Sequence, residues 1–538
     1  MKPFLQFRMW LRRGPRSERF LAAGSTLLVV GLLGWLIVPA LTGSGPGSGN
    51  ATGVASGSGT GGGSTTGSAI AGGAVRPAIT MPGSPPARSA ASSSPAAAGA
   101  AGASTVSVSG GSSAVTSPPT GSAGGSNPLP SSGSTQAAQG CSSLTATDKG
   151  VTASQVTVGI LLPDAGPVNS YVGIPSQSAF QTAYNAIIAH FNQAGGVQCR
   201  KIVPKYYDDN VLDSSSEQAT CLQIVQDGVF AVLNNLNTPA ETTCLAQHAI
   251  PNIWYTPAHG PNVRQFYPYL LSDAPNYDRL ITNYVVGAQQ EGFFKGMKKL
   301  GILEETCFPD ENRDIAADLA AIGIGSSEID IYNYGCPVAV DTPDQDQEAA
   351  LQFEKDGVTH VMNTAYTYIT NFAQAAQNQG YHPQMAVMED GALGAIAHES
   401  SPPPPSSFDG ALGITWDQIG AESTPGVALS PATAVCAAIL AKIGDPAPTA
   451  KGSAAGALYG DGCAIVSVFV SAADRSFPLV RTGLAAGMVR AGPLDLSYPV
   501  GPMDATSATD PTGGQYWRPD RWSSSCGCWH VISPQWHS

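Results

Sequence analysis

From residue 150 onward the chain alternates short apolar runs with longer segments in which apolar residues return every three or four positions. Val156–Leu162, "VTVGILL", is a run of the first kind and reads as a strand covered on both faces. Phe180, Ala183, Tyr184, Ile187, Ile188 and Phe191 then keep the i, i+3, i+4, i+7 spacing of an amphipathic helix, which Gly195-Gly196 stops. The same reasoning predicts strands at Lys201–Tyr207, Gly228–Leu233 and Ile253–Tyr255, with a helix at Ser214–Gln226. Another helix opens within "NNLNTPAETTC", residues 234–244: Thr238 is a good N-cap, Pro239 suits the first turn, and Glu241 suits the positive end of the helix dipole.

The pattern restarts after Ala274. Helices are predicted at Asn276–Lys298, Asp314–Ile322, Asp344–Lys355 and Ile369–Gln379, and strands at Leu300–Glu304, Ile329–Tyr332, Thr359–Met362 and Met385–Met388. "SPPPPSS", residues 401–407, interrupts this second set, and "GALGITW" and helices at 430–442 and about 460–474 follow. Strands alternating with helices imply βαβ crossovers and parallel sheets. Two successive sets imply an α/β protein of two lobes, each a parallel sheet flanked by helices. In such sheets ligands sit beyond the carboxyl ends of the strands, so the expected site is the cleft between the lobes. The helix start at Asn237/Thr238 would offer N–H donors there, although Thr238 could equally serve as a cap alone.

Composition changes the picture at the N-terminus. Residues 1–19 carry Lys2, Arg8, Arg12, Arg13, Arg16 and Arg19 against Glu18, and residues 20–41 carry no charge. That segment is long enough to span a bilayer with its basic flank in the cytoplasm. We expect a transmembrane signal anchor; Val38-Pro39-Ala40 would also suit a cleaved signal peptide, making the protein secreted. Residues 42–140 are Gly, Ser, Ala, Thr and Pro almost throughout, a composition that reads as a disordered linker. Both readings place the globular part outside the cytoplasm.

The net charge of −13, with few basic residues beyond the anchor, argues against nucleic acid as a partner. The eight histidines lack metal-ligand spacing, so no metal and no cofactor is expected. No G-x-S-x-G elbow, P-loop or complete G-x-G-x-x-G stands in the globular region, so the chain is not expected to be an enzyme. All ten cysteines lie in residues 141–538, an even count that suggests disulfides in an extracytoplasmic segment.

The order of "VTVGILLPDAGPVNSYVG", "FNQAGGVQCRKIVPKYYDDN", "IVQDGVFAVLNNLNTPA", "IPNIWYTPA", "GVTHVMNTAYTYITNFAQAAQNQGY" and "FDGALGITW" resembles the type I periplasmic binding proteins, specifically the branched-chain amino-acid (Leu/Ile/Val) binding family of ABC transporters. The resemblance covers most of residues 150–480 and implies a Venus-flytrap fold that captures a small solute and presents it to an ABC permease. It implies ligand carboxylate binding by Asn237, Thr238, Thr256 and Ala258, an aromatic wall at Tyr171, and engagement of the ammonium side by Tyr366 (Tyr368 in reserve) with Glu389 or Asp390. The chain departs from the family where Pro239 removes one N–H and where His259 follows Ala258. His259 could meet an anionic ligand group or simply be solvated.

The same fold suggests disulfides Cys307–Cys336, Cys221–Cys244 and Cys436–Cys463, leaving Cys141, Cys199, Cys526 and Cys528 unassigned. Cys526-Gly-Cys528 could be a metal or redox pair, but with no histidine partner evident a structural role is the expectation. The division expected is a basic tail (1–19), an anchor (20–41), a linker (42–140), a first lobe (141–274), a second lobe (275–407), a return to the first lobe (408–485) and a C-terminal segment completing the second (486–538). The expected function is a membrane-tethered, extracytoplasmic solute-binding protein for an amino acid or related small polar molecule; the alternative is a ligand-sensing or interaction domain of the same fold without a transporter.

Overall fold

The computed structural model describes residues 141–538 apart from 142–143, 165, 167–168, 170–173, 211–212, 236–238, 255–257, 307–308, 336–342, 365–368, 389–392, 394–395, 397–402 and 449–453. The anchor and linker assigned to residues 20–140 therefore lie outside the described residues, as does the expected Cys307–Cys336 pair.

Ten-residue strand β1 (Gln155–Asp164) shows why a sheet forms here. Val156, Val158, Ile160 and Leu162 enter one core with Phe180 and Ile187, while Leu161 enters the opposite core with Tyr207, Ile224 and Val232. Side chains alternate between faces, and both faces are covered. Around β1 lie β2 (Lys201–Asn210), β3 (Ala231–Asn234), β4 (Asn252–Trp254) and β5 (Leu270–Ser272), in the order β2-β1-β3-β4-β5 and all parallel. Pro204, in the middle of β2, is tolerated because β2 is the edge strand. Helices α1 (Gln177–Gln193), α2 (Ser214–Asp227), α3 (Pro239–Gln247) and α4 (Gly260–Gln265) connect them. Ser176 caps α1 by accepting from Ala179 N, and Asp213 caps α2 by accepting from Ser215 N at 3.0 Å.

The second set begins with α5 (Tyr277–Gln290), β6 (Leu300–Glu305), α6 (Pro309–Ala321), β7 (Ile329–Tyr334), α7 (Pro343–Asp356), β8 (His360–Asn363), α8 (Ile369–Gln379) and β9 (Gln384–Met388). It continues through α9 (Pro405–Phe408) and β10 (Leu412–Thr415), and closes with β11 (Arg518–Ser523) and β12 (Cys528–Val531). The order is β12-β11-β10-β9-β8-β6-β7, parallel except for the antiparallel β10–β11 and β11–β12 pairs.

Between β10 and β11 the chain returns to the first sheet as α10 (Pro431–Ala441), α11 (Ala454–Asp474) and α12 (Leu484–Ala491), with α10 and α11 packed on α1. Leu412–Thr415 thus stays in the second sheet, and the return begins after β10 rather than at residue 408. Strand β5 and the six-residue α4 are too short to show a pattern in the sequence, and β11 and β12 carry charged and polar residues that hide theirs. Among the described residues, Gly456–Asp474 within α11 is the one helix long and apolar enough to cross a membrane, but 89% of that window is buried in the protein. It is a core helix, packed through Phe469, Val466 and Ala473.

Disulfides join Cys221 to Cys244 and Cys436 to Cys463, as the sequence suggested, and also Cys141 to Cys199 and Cys526 to Cys528.

Candidate functional site: the strand ends of the two sheets

The carboxyl ends of the first sheet's strands carry Asp164, Asn234 with the adjoining Asn235, and Trp254. Those of the second carry Glu304 and Glu305, Asn363 and Met388. The residues expected to bind ligand leave from these ends in the chain: Tyr171 after β1, Asn237 and Thr238 after β3, Thr256 and Ala258 after β4, Tyr366 after β8, and Glu389 and Asp390 after β9. Ala258 is among the described residues; the other seven lie outside them.

What the structure does place is the footing of each of these segments. Asp164 Oδ1 accepts from Gly166 N and from Asn169 Nδ2, both at 2.7 Å, which folds the start of the loop after β1 back on the strand end. Asn234 and Asn235, both buried, hold the residues before 236: Asn234 Nδ2 donates to Glu241 Oε2 at 3.2 Å, and Asn235 Nδ2 donates to the Leu458 carbonyl at 2.9 Å. Tyr184 Oη donates to Asn235 Oδ1 from α1. In the second sheet Asn363 Oδ1 accepts from Met388 N at 3.3 Å, and Tyr284 Oη donates to the Ala386 carbonyl at 2.7 Å. Thr364 Oγ1 donates to Asn312 Oδ1 at 3.1 Å, and Asn312 Nδ2 donates to the Glu305 carbonyl at 3.0 Å.

These asparagines were not singled out as functional in the sequence. Their signal is there: in "FAVLNN" and "HVMN" a buried apolar run ends in a side chain with both donors and acceptors. Fully buried amides require partners, and here the partners are Glu241 of α3, the Leu458 carbonyl of α11 and the Met388 amide at the end of β9.

Buried carboxyl groups gather in the first lobe. Asp209 near the end of β2, Glu217 in the first turn of α2 and Glu241 in the first turn of α3 are all buried. Burial, with Glu217 nearby, pushes Asp209 up to about 7. Burial raises Glu241 well above the carboxylate range, with Asp209 and Glu217 adding to it. Asp273, which follows β5, is raised to about 8 by burial, and Glu304 to about 7 for the same reason.

Ala258 is buried with Trp254, Val263 and Leu270, and its carbonyl accepts from Tyr277 N at 2.9 Å. His259 does not stand alone as a solvated loop residue. Its Nδ1 lies 3.0 Å from Asp278 Oδ1 and 3.7 Å from Asp314 Oδ2, and its Nε2 lies 2.8 Å from Glu311 Oε1. The Nε2 contact is close but poorly aligned for a hydrogen bond, so it acts mainly through charge. Burial would lower the pKa of His259, but Glu311 and Asp278 outweigh it and raise it to about 9. His259 therefore faces carboxylates rather than an anionic ligand group.

Two groups among the described residues bring three possible metal-ligand atoms within 4.8 Å of one another: His259, Asp278 and Asp314, and Cys526, Cys528 and His530. In the first an imidazolium already balances the carboxylates. In the second the cysteines are joined and offer no thiolate in that state.

Residues 155–519 match the family model described as periplasmic binding protein. The chain belongs to the periplasmic binding protein family. A comparison with curated proteins finds no match. Among solved structures, the chain is similar in fold to a fatty acid ABC transporter substrate-binding protein from Thermomonospora curvata, at 17% identity and a TM-score of 0.54, covering 72% of this chain and 94% of that one. It is similar to an R. palustris ABC transporter solute-binding protein in complex with 4-hydroxybenzoate, at 14% identity and a TM-score of 0.54, covering 71% and 97%. A branched-chain amino-acid ABC transporter structure from Thermus thermophilus with bound valine matches at 14% identity and a TM-score of 0.53, covering 71% and 96%.

At these identities the neighbours establish the two-lobed type I fold and not the ligand. As a periplasmic binding protein the chain is a solute-binding protein, and its two sheets are the lobes between which members of the family hold their solutes.

Proposed function

We propose that this protein captures a small polar solute, an amino acid or a close relative, between its two lobes and delivers it to an ABC-type permease. Binding would shift the lobes toward the closed state in proportion to the ligand's preference for it. Thr256, Ala258, Asn237 and Thr238 would receive the carboxylate, Tyr171 would wall the pocket, and Tyr366 with Glu389 or Asp390 would meet the ammonium. The basic tail, residues 20–41 and the 42–140 linker would tether the lobes to the outer face of the membrane.

The observation that carries this reading is the anchoring of the strand-end loops in both lobes by the buried Asn234, Asn235 and Asn363, which is what a preorganised binding site requires. The ligand identities printed for the neighbouring structures, fatty acid, 4-hydroxybenzoate and valine, belong to those proteins and span apolar and polar solutes. The amino-acid reading for this chain rests on the carboxylates Glu389 and Asp390 and on the hydroxyl and amide residues of the first-lobe loops.

The experiment is a thermal-shift screen of the protein against amino acids, short amides and small organic anions. A ligand present at about 100 times its Kd should stabilise the fold by roughly 2.7 kcal/mol. Thr256→Ala combined with Glu389→Ala should abolish that shift and leave the unliganded melting temperature unchanged. No shift with any compound would move the assignment to a sensing or interaction domain of the same fold; an undiminished shift in the double variant would show that other residues bind the ligand.

A further inference from the structure

The four disulfides among the described residues differ in what they can do for stability. Cys141–Cys199, Cys221–Cys244 and Cys436–Cys463 have sequence separations of 58, 23 and 27, whereas Cys526–Cys528 has a separation of 2. Cross-link stabilisation grows with the loop closed, so the last of these contributes least. It also sits in a turn already fixed by the β11–β12 ladder, where Asp520, Arg521, Trp522 and Ser523 pair with Val531, His530, Trp529 and Cys528.

That ladder sorts its side chains by face. Trp522 and Trp529 are buried on one side, while Cys528, His530, Arg521 and Ser523 alternate onto the other. Cys526, in the turn, is half-buried, and so is His530. His530 Nε2 lies 3.3 Å from Cys526 Sγ and 3.4 Å from Cys528 Sγ. Arg521, directly across the ladder from His530, puts a positive group on that face. The sequence reading saw Cys526-Gly-Cys528 without a histidine; strand alternation brings His530, two residues on, to both sulfurs.

We infer that Cys526-Gly-Cys528 with His530 is a thiol–disulfide exchange site on the outer edge of the second sheet, taking thiols or dithiols as its substrates. In the oxidised protein the attacking thiolate joins Cys526 Sγ, the Cys526–Cys528 bond breaks, and Cys528 leaves as a thiolate. His530 Nε2, 3.4 Å from that sulfur, is placed to relay a proton to it from solvent. A second thiol of the same substrate then attacks the mixed disulfide, releasing Cys526. The substrate dithiol has lost two electrons and two protons to become a disulfide, and the cysteine pair has gained them. A cysteine beside a cation forms its thiolate readily, and a good leaving thiolate accelerates exchange.

The site is independent of the ligand cleft, so its test does not depend on the solute. The full-length protein is incubated with graded reduced glutathione at neutral pH, alkylated with N-ethylmaleimide and mapped by mass spectrometry. Cys526 and Cys528 should be alkylated together at thiol concentrations that leave Cys141–Cys199, Cys221–Cys244 and Cys436–Cys463 bonded. His530→Gln should slow that opening at least about fivefold without changing the melting temperature, and the oxidised protein should convert a dithiol peptide to its disulfide in stoichiometric amount. The proposal is overturned if the pair opens no faster than the other three, if His530→Gln leaves the rate unchanged, or if no peptide disulfide forms. Protection of the reduced pair from alkylation by added Zn2+ at micromolar concentration would overturn it in favour of a metal site.

Discussion

Tyr184 donates its hydroxyl hydrogen to the side-chain oxygen of Asn235, and Asn235 donates in turn to the carbonyl of Leu458 at 2.9 Å. This chain of bonds runs from α1 across the end of β3 to α11, so three elements fix the residue immediately before the 236–238 loop. Burial, followed by the nearby Asp461, raises the Tyr184 hydroxyl well above its ordinary range, so it stays a donor at every physiological pH.

Tyr184→Phe keeps the packing of the ring and removes that donor. The expected loss is about 1–3 kcal/mol, the cost of depriving a buried acceptor of its partner. Because the loss falls just before the proposed ligand loop, solute affinity should drop further than thermal stability alone explains. Differential scanning calorimetry and a binding titration on the same variant check the two effects separately. An unchanged affinity would mean the loop is held by other contacts.

The carboxyls of Asp209 and Glu241 predict a pH effect on the first lobe. Asp209 is raised from an ordinary 3.8 to about 7 by burial and by Glu217. A raised acid binds its proton more tightly when folded, so its contribution is present below about pH 4 and is lost as pH rises through about 7. Asp209→Asn should therefore gain stability over the parent by on the order of 2 kcal/mol at pH 8, with the difference shrinking toward pH 4. Melting curves at three pH values suffice. A difference constant with pH would show that Asp209 ionises freely in the folded protein.

Much of this architecture was legible in the chain because long amphipathic helices leave a clear period and doubly covered strands leave continuous apolar runs. Phe180, Ala183, Tyr184, Ile187, Ile188 and Phe191 all reach the core that their spacing implied. The three-residue β5 is too short to leave such a pattern, and in the hairpin β11–β12 the charges of Arg518, Asp520 and Arg521 mask strands that Trp522 and Trp529 pack into the core. Arg518 and Asp520 are buried there, 3.8 Å apart, in a pattern that in sequence reads as surface. The sequence points to loops at the strand ends as the candidate site, but it does not show what supports the residues leading into them. Asn234, Asn235 and Asn363 earn their role from partners such as Leu458, 223 residues away, and no local pattern reports a contact at that range.

The Cys221–Cys244 disulfide ties α2 to α3, with both cysteines buried. Its separation of 23 predicts a stabilisation of roughly 2–4 kcal/mol from the constraint on the unfolded chain. Cys221→Ala with Cys244→Ala should lower the denaturation midpoint accordingly in urea. The paired substitution avoids leaving a reactive thiol, and a midpoint equal to the parent's would show that the cross-link constrains nothing beyond what α2–α3 packing supplies.

His259 supplies the last prediction, because it joins a segment following a first-sheet strand to helices packed on the second sheet. It follows β4 of the first sheet, whereas Asp278 opens α5, and Glu311 and Asp314 sit on α6, which packs on β6 of the second sheet. Other charges face the same place: Arg313 holds Asp314 Oδ1 at 2.9 Å, Thr282 donates to Asp318 one turn further along α6, and Tyr277 stacks on the imidazole. With a folded pKa of about 9 against an ordinary 6.5, the pairing is at full strength below about pH 6.5 and is lost as pH rises through about 9. That difference is on the order of 2–3 kcal/mol between the lobes. His259→Gln should lower the melting temperature at pH 6.5 and match the parent at pH 10, and Glu311→Gln should do the same to a smaller degree. Histidine NMR on the parent should show one imidazole titrating near 9 that disappears in His259→Gln. If every histidine titrates near 6.5, the imidazole is not held between these carboxylates and the lobes are joined here without it.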